Sequence, residues 1–147
     1  MASIDAIIRA AYDAVSFSEA RGPDERRLAS LVTPDAKLIA VLPSGEVREH
    51  DVSGFVARAR ERIEHTGLQS FIERELFRRT EVFGAIAHVF STYEGRTRNT
   101  GDSTLLVRGI NSFQLRNDGQ RWWLLSILWT EEHPQNPLPA AYLPDRP

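Results

Sequence analysis

Thr104-Leu105-Leu106-Val107-Arg108-Gly109-Ile110-Asn111-Ser112-Phe113-Gln114-Leu115 and Trp122-Trp123-Leu124-Leu125-Ser126-Ile127-Leu128-Trp129-Thr130 are joined by Arg116-Asn117-Asp118-Gly119-Gln120-Arg121, and the chain is organised around this stretch from Ser103 to Glu132. Asp-Gly between runs of β-branched, aromatic and aliphatic residues is a strong hairpin signal, because Gly accepts positive φ without a Cβ clash. The pattern therefore predicts an antiparallel hairpin. Both runs are apolar at successive as well as alternate positions, so both faces need cover. One face is expected against the domain's own helices, the other against a second subunit.

Upstream, Ile4, Ile7, Ile8, Ala11, Tyr12 and Val15 recur at helical spacing behind Ser3, an N-cap residue, which predicts an amphipathic helix from 4 to about 19. Arg21-Gly22-Pro23-Asp24-Glu25 ends it and starts a second, whose Leu28, Leu31 and Val32 face inward. Beyond Thr33-Pro34-Asp35 the run Ala36–Leu42 reads as a short strand closed by Pro43-Ser44-Gly45-Glu46, with Val47–His50 returning beside it. Val52, Phe55, Val56, Ala59 and Ile63 have the period of a third helix, ended by Gly67. Two long strands follow, Gln69–Phe83 and Ala85–Glu94, and Gly95–Asp102 reads as a loop. The segment from Pro134 to Pro147 contains five prolines, so it is neither regular helix nor central strand; Leu138, Tyr142 and Leu143 are its docking residues. Residues 1–133 are thus expected to form one α+β domain and 134–147 an extended arm.

The 147 residues suit one domain with its own core. A formal charge of −2 with interspersed signs supplies no basic field for nucleic acid. No cysteine is present, so disulfides and thiolate metal sites are excluded. The start, Met1-Ala2-Ser3-Ile4-Asp5, lacks the pattern of a signal peptide, and no apolar run approaches the ~20 residues of a membrane span. A cytoplasmic protein without membrane or nucleic-acid partners is the expectation.

The order helix, helix, short strand pair, helix, then four long strands resembles the nuclear transport factor 2-like superfamily, the ketosteroid isomerase-like and SnoaL-like cone fold. Leu31-Val32-Thr33-Pro34-Asp35-Ala36 is similar to the family's passage from second helix to first strand, and the hairpin ending Trp129-Thr130-Glu131 is similar to its close. The resemblance covers residues 3 to about 133. It implies an α+β cystatin-like cone, in which a curved antiparallel or mixed sheet of about six strands wraps three N-terminal helices and leaves an internal pocket. Dehydratases, cyclases, isomerases, ligand binders and association domains share this architecture, so the fold does not supply the activity.

Ketosteroid isomerases of this superfamily use a carboxylate base and an oxyanion hole made of a tyrosine and a protonated aspartic acid. Tyr12 resembles that tyrosine in position, Asn111 falls near the place of the aspartic acid, and Trp129 resembles an aromatic lining the pocket. The base belongs a few residues into the first strand, where this chain has Ala40. Alanine cannot take up a proton, so that activity does not transfer.

If Asn111 and Trp129 point inward, alternation brings Gly109, Phe113, Trp123, Leu125 and Ile127 with them, and Val89, Ser91 and Tyr93 on the preceding strand. Tyr12, Ser91, Tyr93, Asn111 and Trp129 are therefore the candidate ligand-binding residues, with core packing as the alternative reading. Glu73 and Glu75 share one face of their strand, with Arg74 and Arg78 on the other. Glu73 is a candidate base if its face is inward, and a solvated ion-pair residue if it is outward. His88 is the remaining candidate acid or base, although the same alternation turns it away from Ser91. His50, His65, His88 and His133 offer no metal-ligand spacing, and no phosphate loop is present, so no metal or cofactor is expected. The expectation is a dimeric cone binding a small, mostly apolar molecule, with proton-transfer chemistry such as isomerisation or dehydration as its conceivable activity. The competing expectation is a non-catalytic dimerisation or association module.

Overall fold

The computed structural model describes residues 3–99 and 104–145. Its first helix, α1 (Ile4–Val15), is capped by the Ser3 hydroxyl, which accepts the Ala6 N–H at 3.1 Å. Ile7 and Ile8 are wholly buried, each contributing about 1.5–3 kcal/mol. The helix stops short of residue 19 because Phe17 exchanges backbone hydrogen bonds of 2.8 and 3.0 Å with Phe71. A strand partner thus takes the amide that another helical turn would need. The second helix, α2 (Glu25–Ala29), is capped by Asp24.

The strand β1 (Val32–Val41) begins before the expected Ala36, because the Leu31 carbonyl already accepts the Leu124 N–H at 3.0 Å. A register shift between Val32 and Lys37 accommodates Pro34, which has no N–H to give a ladder. After β2 (Val47–His50) comes α3 (Val52–Thr66), ended by Gly67 at φ 68°, a left-handed position that favours glycine. The long strands are β3 (Leu68–Phe83), β4 (Ile86–Asn99), β5 (Thr104–Asn117) and β6 (Trp122–Glu131). They form one mixed six-stranded sheet in the order β2-β1-β6-β5-β4-β3, with β1 and β6 parallel. The helices lie within its concave side, so the cone expected from the sequence is observed.

Residues 95–99, expected as loop, continue β4 instead. They pair with β3 on one side and β5 on the other, and ladder partners on both edges outweigh a loop-like composition. Thr97 points inward and is buried, whereas Arg96 is exposed. The remainder of that expected loop, and Ser103 at the head of the hairpin stretch, lie outside the described residues, as do Met1 and Ala2 at the start and Arg146 and Pro147 at the end of the arm.

Two bulges decide which side chains face the interior. In β6 the extra residue is Leu125, between the pairs Gln114–Ser126 and Leu115–Leu124. Alternation therefore breaks there: Trp122 and Leu124 are buried, while Trp123 and Leu125, expected inside, face out. Trp123 instead clamps the hairpin turn, with its indole N–H on Asp118 (2.9 Å) and the Arg121 guanidinium 3.7 Å above its ring. In β3 the extra residue is Leu76, between Glu75–Tyr93 and Phe77–Thr92. This puts Arg78 on the same face as Glu75, not on the opposite face with Arg74.

On the outer face the C-terminal arm docks through Tyr142. Its ring meets Phe90 edge-on at 5.4 Å, the Arg79 guanidinium lies over it at 4.9 Å, and its carbonyl accepts the Thr92 hydroxyl at 2.6 Å. Among the described residues, no helix is long and apolar enough to cross a membrane.

Candidate functional site

A cavity of about 590 Å³ opens between α1, α3 and the concave sheet. Register builds its floor: Arg78, Ser91, Asn111, Trp129 and Ala40 are successive cross-strand neighbours in one row over β3, β4, β5, β6 and β1, and the last three of them line the cavity. Tyr12 descends onto this row from α1, its ring meeting Phe113 edge-on at 6.1 Å. Trp129 closes the opposite side against Phe55, at 5.9 Å.

The polar groups form one connected network. The Asn111 amide donates to Glu73 Oε1 at 3.0 Å and to the Tyr12 hydroxyl at 3.1 Å. The Tyr12 and Ser91 hydroxyls are 2.7 Å apart. Ser91 in turn donates to Glu75 Oε2, and Arg78 holds Oε1 of the same carboxylate at 2.8 Å. Arg78 also reaches Asp5 at 2.5 Å, which carries the chain of bonds to the surface. Ser16 ties helix to strand: its hydroxyl donates to the Tyr12 carbonyl at 2.8 Å and accepts the Glu73 N–H at 3.0 Å.

Part of Glu73 opens onto the cavity, yet protein surrounds it on nearly every side. Burial pushes its carboxyl up to about 7; the Asn111 hydrogen bond opposes that rise and the negative charge of Glu131 adds to it. Among the described residues no lysine or arginine forms an ion pair with Glu73. Burial likewise raises the Tyr12 and Tyr93 phenols well above their ordinary value, with the charge of Glu73 contributing to both. Tyr93 lines the cavity, and among the described residues its hydroxyl has no protein partner. Room for it exists because residue 109 is glycine: a Cβ there would stand 2.8 Å from that oxygen and 2.3 Å from the Thr130 carbonyl.

The structure thus brings Tyr12, Tyr93, Asn111, Trp129 and Glu73 to one cavity. Ser91 lies directly behind Tyr12, fully buried. His88 is elsewhere, on the outer face and half exposed, 3.6 Å from Glu81. Strand alternation places it there, and it has no route to the cavity. Arg48, His50, Arg58, Arg62 and the exposed Glu131 also line the cavity and were not read from the sequence as site residues. For His50 the pairing with Leu38 would have been the signal. Among the described residues no cluster of three or more histidine, aspartate or glutamate side chains could hold a metal ion.

Neither a protein-family model nor a curated protein sequence matches this chain. Solved structures do. A proposed dehydratase of the nuclear transport factor 2-like family from Streptomyces avermitilis is 17% identical, with 88% of this chain and 93% of that one covered at a TM-score of 0.64. A proposed scytalone dehydratase from Novosphingobium aromaticivorans is 11% identical over 88% and 82%, at a TM-score of 0.67. A proposed calcium/calmodulin-dependent kinase II association domain from Exiguobacterium sibiricum is 14% identical over 89% and 92%, at a TM-score of 0.64. The chain has the nuclear transport factor 2-like, cystatin-like fold.

Proposed function

In a cone of this kind, we propose that the cavity binds a small, mostly apolar molecule and that Glu73 exchanges a proton with it, as in an isomerisation or dehydration. One observation carries this reading: a carboxyl that has no cation partner among the described residues stands among Tyr12, Tyr93 and Asn111 in a cavity whose walls include Leu38, Phe55, Phe71, Phe113, Ile127 and Trp129. An apolar enclosure with a few convergent polar groups is the usual form of a small-ligand site. The volume well exceeds the ~300 Å³ that such sites need. Glu73 supplies from β3 the carboxylate that Ala40 on β1 lacks, and a carboxyl titrating near neutrality suits general acid–base work.

The test is a fluorescence titration with 2-naphthol, which the cavity can hold. Saturable binding to the parent protein, its weakening in Ala40→Trp, and loss in Glu73→Gln of the pH dependence of binding near 7 are the expected results. Binding of unchanged affinity in Ala40→Trp, whose indole would crowd the cavity beside Asn111 and Trp129, would exclude this site.

A second and compatible reading is self-association through the outer sheet face, where Phe90, Leu125 and Leu128 are exposed. The association-domain name carried by one structural neighbour supports it. Light scattering of the parent and of Leu128→Arg tests it: a dimer converted to a monomer is the expected outcome, and a monomeric parent sinks it.

A further inference from the structure

Resting on the reading of the cavity as a ligand site, we infer that its floor selects a ligand bearing a hydroxyl over one bearing a carbonyl, because the Tyr12 proton is committed to Ser91 and turned away from the cavity. The direction of the chain is set at its outer end. The Glu75 carboxylate, paired with Arg78, has only lone pairs to offer, so Ser91 must be the donor between them. A serine hydroxyl has one proton. Having given it to Glu75, Ser91 can only accept from Tyr12, 2.7 Å away. Tyr12 therefore donates to Ser91 and presents lone pairs elsewhere.

One of those lone pairs receives the Asn111 amide at 3.1 Å, and the second amide proton goes to Glu73 at 3.0 Å. Asn111 has no amide proton left for a ligand. The cavity side of this cluster then consists of acceptors: the Tyr12 oxygen and, once ionised, the Glu73 carboxylate. Tyr93 also lines the cavity, and its proton has no acceptor among the described residues. A hydroxyl matches this arrangement, since it donates to one of the acceptors and still offers lone pairs to Tyr93. A carbonyl only accepts, and would leave the Glu73 carboxylate with the Asn111 amide alone as its side-chain donor among the described residues. Tyr12 on α1 is thus held as an acceptor toward the cavity by Ser91 on β4.

Glu75→Gln tests the direction without altering shape. With its oxygen kept on Arg78, the new amide N–H₂ faces Ser91 and donates, so Ser91 donates to Tyr12 and the Tyr12 proton is released toward the cavity. Ser91→Ala releases the same proton by removing its acceptor. At pH 8 the affinities of 2-naphthol and 2-acetonaphthone are measured for the parent and both variants. The parent is expected to prefer the naphthol by about tenfold or more, the cost of leaving a buried polar group unmatched. In Glu75→Gln and Ser91→Ala that preference is expected to fall by about tenfold, chiefly through tighter acetonaphthone binding. A preference absent in the parent, or identical in all three proteins, overturns the inference while leaving the site standing. Failure of both naphthalenes to bind the parent overturns the site and the inference together.

Discussion

Glu73 and Glu75 sit two residues apart on the same inward face of β3, yet their surroundings are opposite. Glu75 has Arg78 on one oxygen and the Ser91 hydroxyl on the other. Glu73 has the Asn111 amide and, among the described residues, no cation. The difference comes from Leu76, the bulged residue that rotates Arg78 onto the Glu75 side. A local irregularity thus gives one carboxylate an arginine and leaves its neighbour, among the described residues, without one. The lesson is that a charge at a strand position has no intrinsic role; its role follows from what the register brings across.

The strongest way to break this contrast is Glu73→Gln. A carboxyl raised from 4.5 to about 7 in the folded state stabilises fully below pH 4.5 and loses that contribution as pH rises to 7. The variant should therefore gain up to about 3 kcal/mol over the parent at pH 8, and almost nothing at pH 4.5. Urea denaturation at the two pH values measures it, and equal gains at both would refute the burial of an unpaired charge. Arg78→Met attacks the other side. It should cost about 2 kcal/mol at pH 7, because Glu75 loses its cation in a mostly buried setting, and pairing it with Glu75→Gln should recover most of that loss.

Asn111→Leu sharpens the contrast from the Glu73 side. Loss of the amide removes a bond that favours the ionised carboxyl, so stability at pH 8 should fall by about 1 kcal/mol. The pH at which the Glu73-dependent loss is complete should move above 7. A difference titration against the double variant Glu73→Gln/Asn111→Leu reads both. The smallest effect belongs to Tyr93→Phe. Its hydroxyl has no protein partner among the described residues, so stability should change by less than about 0.5 kcal/mol while 2-naphthol binding weakens. A loss of stability as large as that of Asn111→Leu would show that the phenol is structural.

Much of the architecture was legible in the chain. Asp118-Gly119 marked the closing hairpin, and the Asp118 carboxylate is indeed held down at about 2 by the Arg121 and Gln120 backbone amides and the Trp123 indole. Ser3 and Gly67 marked helix ends by local chemistry that needs no distant partner. The inward facing of Asn111 and Trp129 followed from the resemblance plus alternation. Alternation then failed at Trp123 and Leu125, since nothing in a run of consecutive apolar residues announces an extra residue. The direction of Glu73 was equally hidden. It depends on the two-residue turn Gly84-Ala85, on the Leu76 bulge and on Phe17 pairing with Phe71, none of which local spacing encodes.

By itself the sequence determined the elements, their order and which residues carry protons, because capping, turn chemistry and hydrophobic period are properties of neighbours along the chain. Only the tertiary structure decided which of those protons face the cavity. Strand register and two bulges set that, and they are relations between segments up to 99 residues apart, as Tyr12 and Asn111 are.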